Sequence, residues 1–285
     1  MSLLSTLFKA RASESSTRIN QAITRCRSEC DGQALLNLGC GNRINPKWVN
    51  ADLGPMDQRV LRINVCKTLP FEDNQFDAVF HAHMLEHLEP EIGERVMHEC
   101  VRIVRPGGVV RVSVPDFERF AIAYLENLTS ALTNDPGASD KYDWSMLEML
   151  DQLIRTRSGG RMRDAWLVDN HPAESYITER MGDEYTEARE SFTARAKPAR
   201  SFGPHSSDPS SRKLTKFRNS GEIHRWMYDR FSLPRLMETV GLVNPRVVAH
   251  NESGIKGWES YGLETRVDGK PMKPDTLAVE ATKPE

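Results

Sequence analysis

Residues 35–53 read LLNLGCGNRINPKWVNADL. An apolar run enters a Gly39-Cys40-Gly41 turn, and a second apolar stretch, Trp48 to Leu53, carries Asp52 near its end. Glycines at a strand end let the backbone come close to a ligand. A carboxylate at the end of the next strand can accept both hydroxyls of a ribose. Open parallel sheets bind ligands beyond the carboxyl ends of their strands. The two features together point to a ribose-bearing cofactor, either a nicotinamide or flavin dinucleotide or S-adenosylmethionine. The dinucleotide fingerprint G-x-G-x-x-G is incomplete. Ile44 stands where the third glycine belongs, and Asp52 comes early for an acid expected ~20 residues on. The plain alternative for Asp52 is that it caps the turn that follows it.

Other residues able to do chemistry are scattered. The five cysteines, Cys26, Cys30, Cys40, Cys66 and Cys100, do not form the spacing of a disulfide framework. Cys26 and Cys30 stand four apart on an expected helix with no further ligand near them, so no metal site is expected. Glu86 and His87 open an expected helix. There Glu86 suits the positive end of the dipole, and His87 reads as a packed or capping residue. Between 193 and 218 there are seven basic residues against one acid, Asp208. That charge could attract an anionic partner or simply be solvated. Aromatic residues there are too few for a nucleic-acid platform, so nucleic acid is disfavoured.

The elements that must position these residues follow from periodicity. An amphipathic helix is expected over residues 14–30, with Ile19, Ala22, Ile23 and Cys26 on one face. Strands are expected at Leu35–Leu38, Trp48–Leu53, Val60–Val65 and Asp77–His81. A helix should run from Glu89 to Val104 and stop at RPGG (105–108), with the strand VVRVSVPD after it. Strands alternating with helices imply a parallel sheet covered on both faces. After Asp116 the pattern fades into helices at Phe117–Leu128 and Ser145–Arg155, and residues 191–220 read as loop. Order returns with a helix near Leu233–Val240 and strands near Arg246–His250 and 275–282. The fold class is therefore α/β, a Rossmann-like, doubly wound, mostly parallel sheet with a large helical and loop insertion. The expected division is an N-terminal helical segment at 1–30, a core made of 31–119 and 222–285, and an insertion at 120–221 covering the acceptor side.

A chain of 285 residues with net charge −2 fits one large α/β domain with an insertion. No apolar run approaches the ~20 residues of a membrane helix, and MSLLSTLF is too short for a signal peptide. A cytoplasmic protein with no membrane contact is expected.

The ordered set LLNLGCG, WVNADL, LPFEDNQFDAVFHAHMLEHL, VRIVRPGGVVRVSVPD and FSLPRLMETVGL resembles a class I S-adenosylmethionine-dependent methyltransferase. The likeness covers roughly 33–118 and 222–284. Within that family the chain is similar to a bacterial subgroup of predicted methyltransferases with HRWMYD before the last helix and VEATKP at the end, which implies no particular acceptor. The resemblance implies S-adenosylmethionine as cofactor. Gly39 and Gly41 would line its methionine and ribose portion, and Asp52 would hold the ribose diol. Asn64, with Val65, stands where many relatives place an acid that meets the adenine amino group. Asn37 occupies a usually acidic place, so the methionine ammonium would rely on backbone carbonyls. His81 to His83 would face the reacting methyl group.

Methyl transfer is an in-line displacement, for which the protein supplies alignment. Where the nucleophile is a hydroxyl, a base must also remove its proton. Histidine suits that at neutral pH, so His83 and His224 are the candidate bases, with Tyr228 beside them. The expected function is methylation of a small-molecule or glycan-type acceptor, an anionic one included. The alternative is a non-catalytic S-adenosylmethionine-binding module on the same fold.

Overall fold

The computed structural model describes residues 15–54, 57–193 and 211–285. The basic run 193–218 therefore falls largely outside the described residues, Arg195 and Arg200 included.

The sheet has seven strands in the order β3-β2-β1-β4-β5-β7-β6. They are β1 (Leu35–Leu38), β2 (Val49–Asp52), β3 (Val60–Arg62), β4 (Phe76–Ala82), β5 (Val104–Pro115), β6 (Val243–Val248) and β7 (Thr276–Thr282). The first five run parallel, and β7 lies antiparallel between β5 and β6. Every residue of β1 is buried, which is why LLNL reads as an unbroken apolar run: a parallel strand is covered on both faces.

Helix α1 (Ser16–Glu29) starts where Ser15 accepts a hydrogen bond from the Arg18 N–H, and it buries Ile19, Ile23 and Cys26. Helix α2 (Pro90–Ile103) begins with proline at its first turn, where the missing N–H is harmless, and buries Val96, Met97, Cys100 and Ile103. Two local expectations are corrected. RPGG does not separate a helix from a strand. It is a bulge inside β5, taken up where the register jumps from Phe76↔Val104 to Ala78↔Val109 and fixed by Arg105 Nε donating to Asp77 at 2.7 Å. Leu85–His87 is a single 3₁₀ turn, and α2 begins only at Pro90.

The insertion is more helical than its sequence suggests. It contains α3 (Phe117–Leu132), α4 (Ala138–Ile154), α5 (Met162–Trp166), α6 (Glu174–Met181), α7 (Asp183–Thr193) and α8 (Ser211–Arg218). These helices build a second small core around Trp144, Met162, Trp166, Ile177, Met181 and Tyr185. Helices α9 (Ser232–Thr239) and α10 (Trp258–Tyr261) then lead back to the sheet. Among the described residues no helix is long and apolar enough to cross a membrane, and the cysteines are free thiols.

Candidate functional site

The strand order reverses between β1 and β4, and the turn after β1 is the glycine turn. Gly39 and Gly41 have φ of +67° and +52°, the left-handed region that glycine enters without steric penalty. The two differ in surroundings. A Cβ on Gly39 would lie 2.6 Å from Met84 Sδ, so this glycine is required by packing. A Cβ on Gly41 would meet nothing within 4 Å, so this glycine borders open space. The turn is tied to β2 by Gly39 and Cys40 N–H groups donating to Ala51 O at 2.7 and 3.1 Å.

Asp52 completes that tie. Its Oδ2 accepts from Gly41 N–H at 3.0 Å and its Oδ1 from Gly54 N–H at 2.9 Å. It therefore does cap the neighbouring backbone, as the plain reading expects. Each carboxylate oxygen still has a second lone pair for a ligand hydroxyl. Asn64 Oδ1 accepts from Cys66 N–H at 3.0 Å, closing its own turn after β3. Val65 beside it is half-buried against the main core. Burial pushes the Cys40 thiol up to about 12, with the Asp52 charge adding to the effect, so it stays a neutral thiol in the turn.

Asn37 is buried, and its amide is committed. Its Nδ2 donates to Arg43 O at 2.9 Å and to Asn50 Oδ1 at 3.1 Å, and Asn50 Nδ2 in turn holds Asn45 O at 2.7 Å. A network of asparagines thus shapes loop 43–48. It also gives a physical reason for an amide at this place, since a carboxylate could not donate either bond.

A cavity of about 610 Å³ opens beside the glycine turn at the carboxyl edge of the sheet. Asn37, Gly39, Gly41 and Arg43 line one end, and Phe80, Ala82 and His83 of β4 and its exit line the wall. Thr276 and Ala278 of β7 and Ala249 and His250 beyond β6 continue it. The far side is made by Glu184, Glu187 and Ala188 of α7, which belong to the insertion. Three ion pairs hold that helix over the cavity: Arg43–Glu187 at 3.0 Å, Lys273–Glu184 at 2.7 Å and Arg266–Asp183 at 2.5 Å. Asp52, Asn64 and Val65 lie outside this wall, at the ends of β2 and β3.

The histidines separate into two sets. His83 lines the cavity. It has φ of +50°, strained for a non-glycine residue, and is held there by its N–H on Ser113 O at 2.8 Å. Its Nε2 shares a hydrogen bond with Thr276 Oγ1 at 3.0 Å, while Nδ1 faces Glu86 Oε1 at 3.4 Å. His81 sits inside β4 rather than past it. It is wholly buried with neither ring nitrogen hydrogen-bonded, and burial pushes it down to about 4. Phe80 and Ala82 flank it and line the cavity, so strand alternation turns His81 to the opposite face.

His224 and Tyr228 are buried and do not line the cavity. They approach Glu86 from behind. The His224 ring lies 4.9 Å from that of His87, and Arg225 N–H donates to Glu86 O at 2.7 Å. Burial pushes His224 down to about 3, against the pull of Glu86. It pushes the Tyr228 hydroxyl up to about 12, Glu86 adding to it. Burial also opposes the charge of Glu86, but His83 beside it, with His87 and His224, outweighs burial and holds the carboxyl below its ordinary value.

Sequence reasoning missed Glu86 as a centre of this cluster, and missed Glu184, Glu187, Lys273 and Thr276 in the cavity wall. Glu86 has His83 and His87 beside it in sequence but meets His224 only through tertiary packing, and the cavity-wall residues meet only through the packing of the insertion and the chain around β7 on the sheet edge.

Residues 40–112 match a family described as methyltransferase domain. No curated protein sequence matches. Among solved structures, a S-adenosylmethionine-dependent methyltransferase of Thermotoga maritima, described as a possible histamine N-methyltransferase, is 13% identical. It covers 94% of this chain and 92% of its own at a TM-score of 0.40. A S-adenosylmethionine-dependent methyltransferase of Archaeoglobus fulgidus is 12% identical, covering 99% and 98% at 0.38. The 1,6-didemethyltoxoflavin N1-methyltransferase of Burkholderia thailandensis is 10% identical, covering 94% and 79% at 0.37. Likenesses at these TM-scores add nothing to what the topology and the family match carry. The residues fit the cofactor of that family: open space borders Gly41, and the Asp52 carboxylate stands at the neighbouring strand end. Residues 40–112 thus match a methyltransferase-domain family, in a sheet of Rossmann-like strand order whose glycine turn and Asp52 fit S-adenosylmethionine, the cofactor that the match supports.

Proposed function

We propose that this protein methylates a small-molecule or glycan-type acceptor seated in the cavity at the sheet edge. The observation that carries this reading is the course of the cavity. It runs from the glycine turn after β1 to His83 after β4, so a donor group at one end and an acceptor at the other would share one enclosure. When bound, S-adenosylmethionine supplies a methyl group on a sulfonium, already a good leaving group. Gly39 and Gly41 would line its methionine and ribose portion and Asp52 would accept from the ribose diol. Asn64 and Val65 would border the adenine, and Asn37 would shape the loop beneath the methionine end.

His83 is the candidate base. Its Nδ1 faces the Glu86 carboxylate, which favours the tautomer with the hydrogen on Nδ1. That leaves the Nε2 lone pair toward Thr276 and the cavity, where it can take a proton from an acceptor hydroxyl. His224 and Tyr228 serve in this reading from behind, as supports of the Glu86 cluster, and His81 as a buried strut of β4. The core at 31–119 and 222–285 would hold the cofactor, with 120–221 as the acceptor-side cover and 1–30 as a separate helical segment. Arg119 lines the cavity and pairs with no carboxylate among the described residues, which supports an acceptor with anionic character. Of the described basic residues of the 193–218 run, Arg212 and Arg218 do not line the cavity.

Incubation of the purified chain with methyl-labelled S-adenosylmethionine and a size-fractionated cell extract tests the reading. The expected result is label in a low-molecular-weight or glycan fraction, lost with His83→Ala. Cofactor binding with no labelled product in any fraction would favour the non-catalytic alternative.

A further inference from the structure

Behind the cavity wall, the adjacent pair Glu86 and His87 meets His224 from a distant part of the chain. Glu86 is 1% exposed, and neither of its carboxylate oxygens has a hydrogen-bond partner. Buried carboxylates normally find donors. Here the nearest groups are ring nitrogens, His83 Nδ1 at 3.4 Å and His87 Nε2 at 3.9 Å. One ligating atom each from Glu86, His87 and His224 lies within 4.8 Å of the other two. His87 Nδ1 stands 3.1 Å from Ile223 O. A carbonyl only accepts, so Nδ1 carries the hydrogen and the Nε2 lone pair faces Glu86. A backbone carbonyl fixing the tautomer in this way is the usual support of a metal-binding histidine.

We propose that Glu86, His87 and His224 form a binding site for one divalent first-row transition cation of the zinc type. Two imidazoles and one carboxylate suit zinc and its neighbours in the series. Magnesium and calcium prefer oxygen ligands throughout. Donor atoms in a tetrahedral zinc site stand ~3.4 Å apart, given metal–ligand bonds of about 2.0–2.2 Å, so the trio must draw in by roughly 1 Å. Backbone bonds already place the pieces. Arg225 N–H donates to Glu86 O at 2.7 Å, and His224 N–H donates to Gln152 O at 3.0 Å. The cation pins the chain returning from the insertion to the exit of β4. Through the shared Glu86 carboxylate it also sets the orientation of His83 from outside the coordination shell. Cation binding stands independently of methyl transfer.

The test uses the full chain, dialysed against a chelator and titrated with cobalt(II) and then zinc(II). Metal content and the visible d–d spectrum are read, and circular dichroism monitors the fold. The expected result is one equivalent of cobalt with the bands of nitrogen- and oxygen-ligated metal, displaced by zinc. Glu86→Gln and His224→Gln should weaken binding by at least the ~10–100-fold seen when only a supporting group is lost. A folded wild-type chain that gives no such spectrum overturns the proposal. So does undiminished one-to-one binding in a folded Glu86→Gln, His224→Gln double variant. If the variants do not fold, the wild-type cobalt spectrum decides by its presence or absence.

Discussion

His83 presents Nδ1 to the buried carboxylate of Glu86 at 3.4 Å while its other nitrogen faces the cavity beside Thr276. A histidine so oriented holds its proton on one nitrogen and has the other, shared with the Thr276 hydroxyl, to accept another once an acceptor takes the threonine's place. His83→Ala should therefore lower kcat for a hydroxyl acceptor by about 10²–10⁴-fold. S-adenosylmethionine affinity, measured by calorimetry, should change little. A kcat within a few-fold of wild type would remove His83 as the base.

The amide of Asn37 gives a prediction that opposes the family pattern. Asn37→Asp restores the acid common at this place, yet it removes both donated bonds, to Arg43 O and Asn50 Oδ1, and sets a carboxylate against two acceptors. Leaving such groups unpaired costs about 1–3 kcal/mol. Denaturant unfolding should show that loss. An Asn37→Asp protein as stable as wild type would mean that loop 43–48 is held by other bonds.

The two glycines of the turn should separate in their effects. Gly39→Ala puts a methyl group into Met84 at a positive φ, so its main consequence is lost stability, seen as a lower Tm. Gly41→Ala meets no protein atom. Beyond the modest strain of its left-handed backbone, about 1–2 kcal/mol, its consequence falls on S-adenosylmethionine affinity. Thermal melts and calorimetry on the two variants check the division, and equal affinity losses with equal Tm losses would contradict it.

His81 gives a pH dependence. Its ordinary value is 6.5 and burial holds it near 4 in the folded chain. Between those values the unfolded chain binds the proton and the folded chain does not, so stability falls as pH drops from 6.5 toward 4. The slope from this one group approaches about 1.4 kcal/mol per pH unit. His81→Phe removes it and leaves no ring nitrogen unpaired. Urea unfolding at pH 7 and pH 5 should show a smaller acid loss in the variant. His224, also held low by burial, keeps its share of the loss in both proteins, and an identical loss in both would show that His81 does not contribute.

How much of this was legible in the sequence depended on whether a signal was local. LLNL followed by a Gly-Cys-Gly turn and an acid closing β2 pointed to the edge of the sheet where the cavity opens, because strand burial and glycine backbone freedom act over a few residues. The insertion was less legible. Its helices α5 to α7 are short and their small core assembles from Trp144, Met162 and Trp166 across intervening turns, so no window of sequence carries a clean period. Glu86 was read as a dipole partner because sequence places it before a helix. Its neighbours in sequence, His83 and His87, face it across one turn, and tertiary packing adds His224.

The central claim is that Asp52 and the glycine turn hold S-adenosylmethionine. Titration calorimetry of the wild type and of Asp52→Ala tests it most directly. The wild type should bind S-adenosylmethionine or its demethylated product in the micromolar range and should not bind NAD. Asp52→Ala should bind more weakly by about 1.5–3 kcal/mol, the loss expected for hydrogen bonds to a charged group, with its fold intact by circular dichroism. Unchanged affinity in a folded Asp52→Ala protein, or a wild type that binds NAD in place of S-adenosylmethionine, would contradict the account.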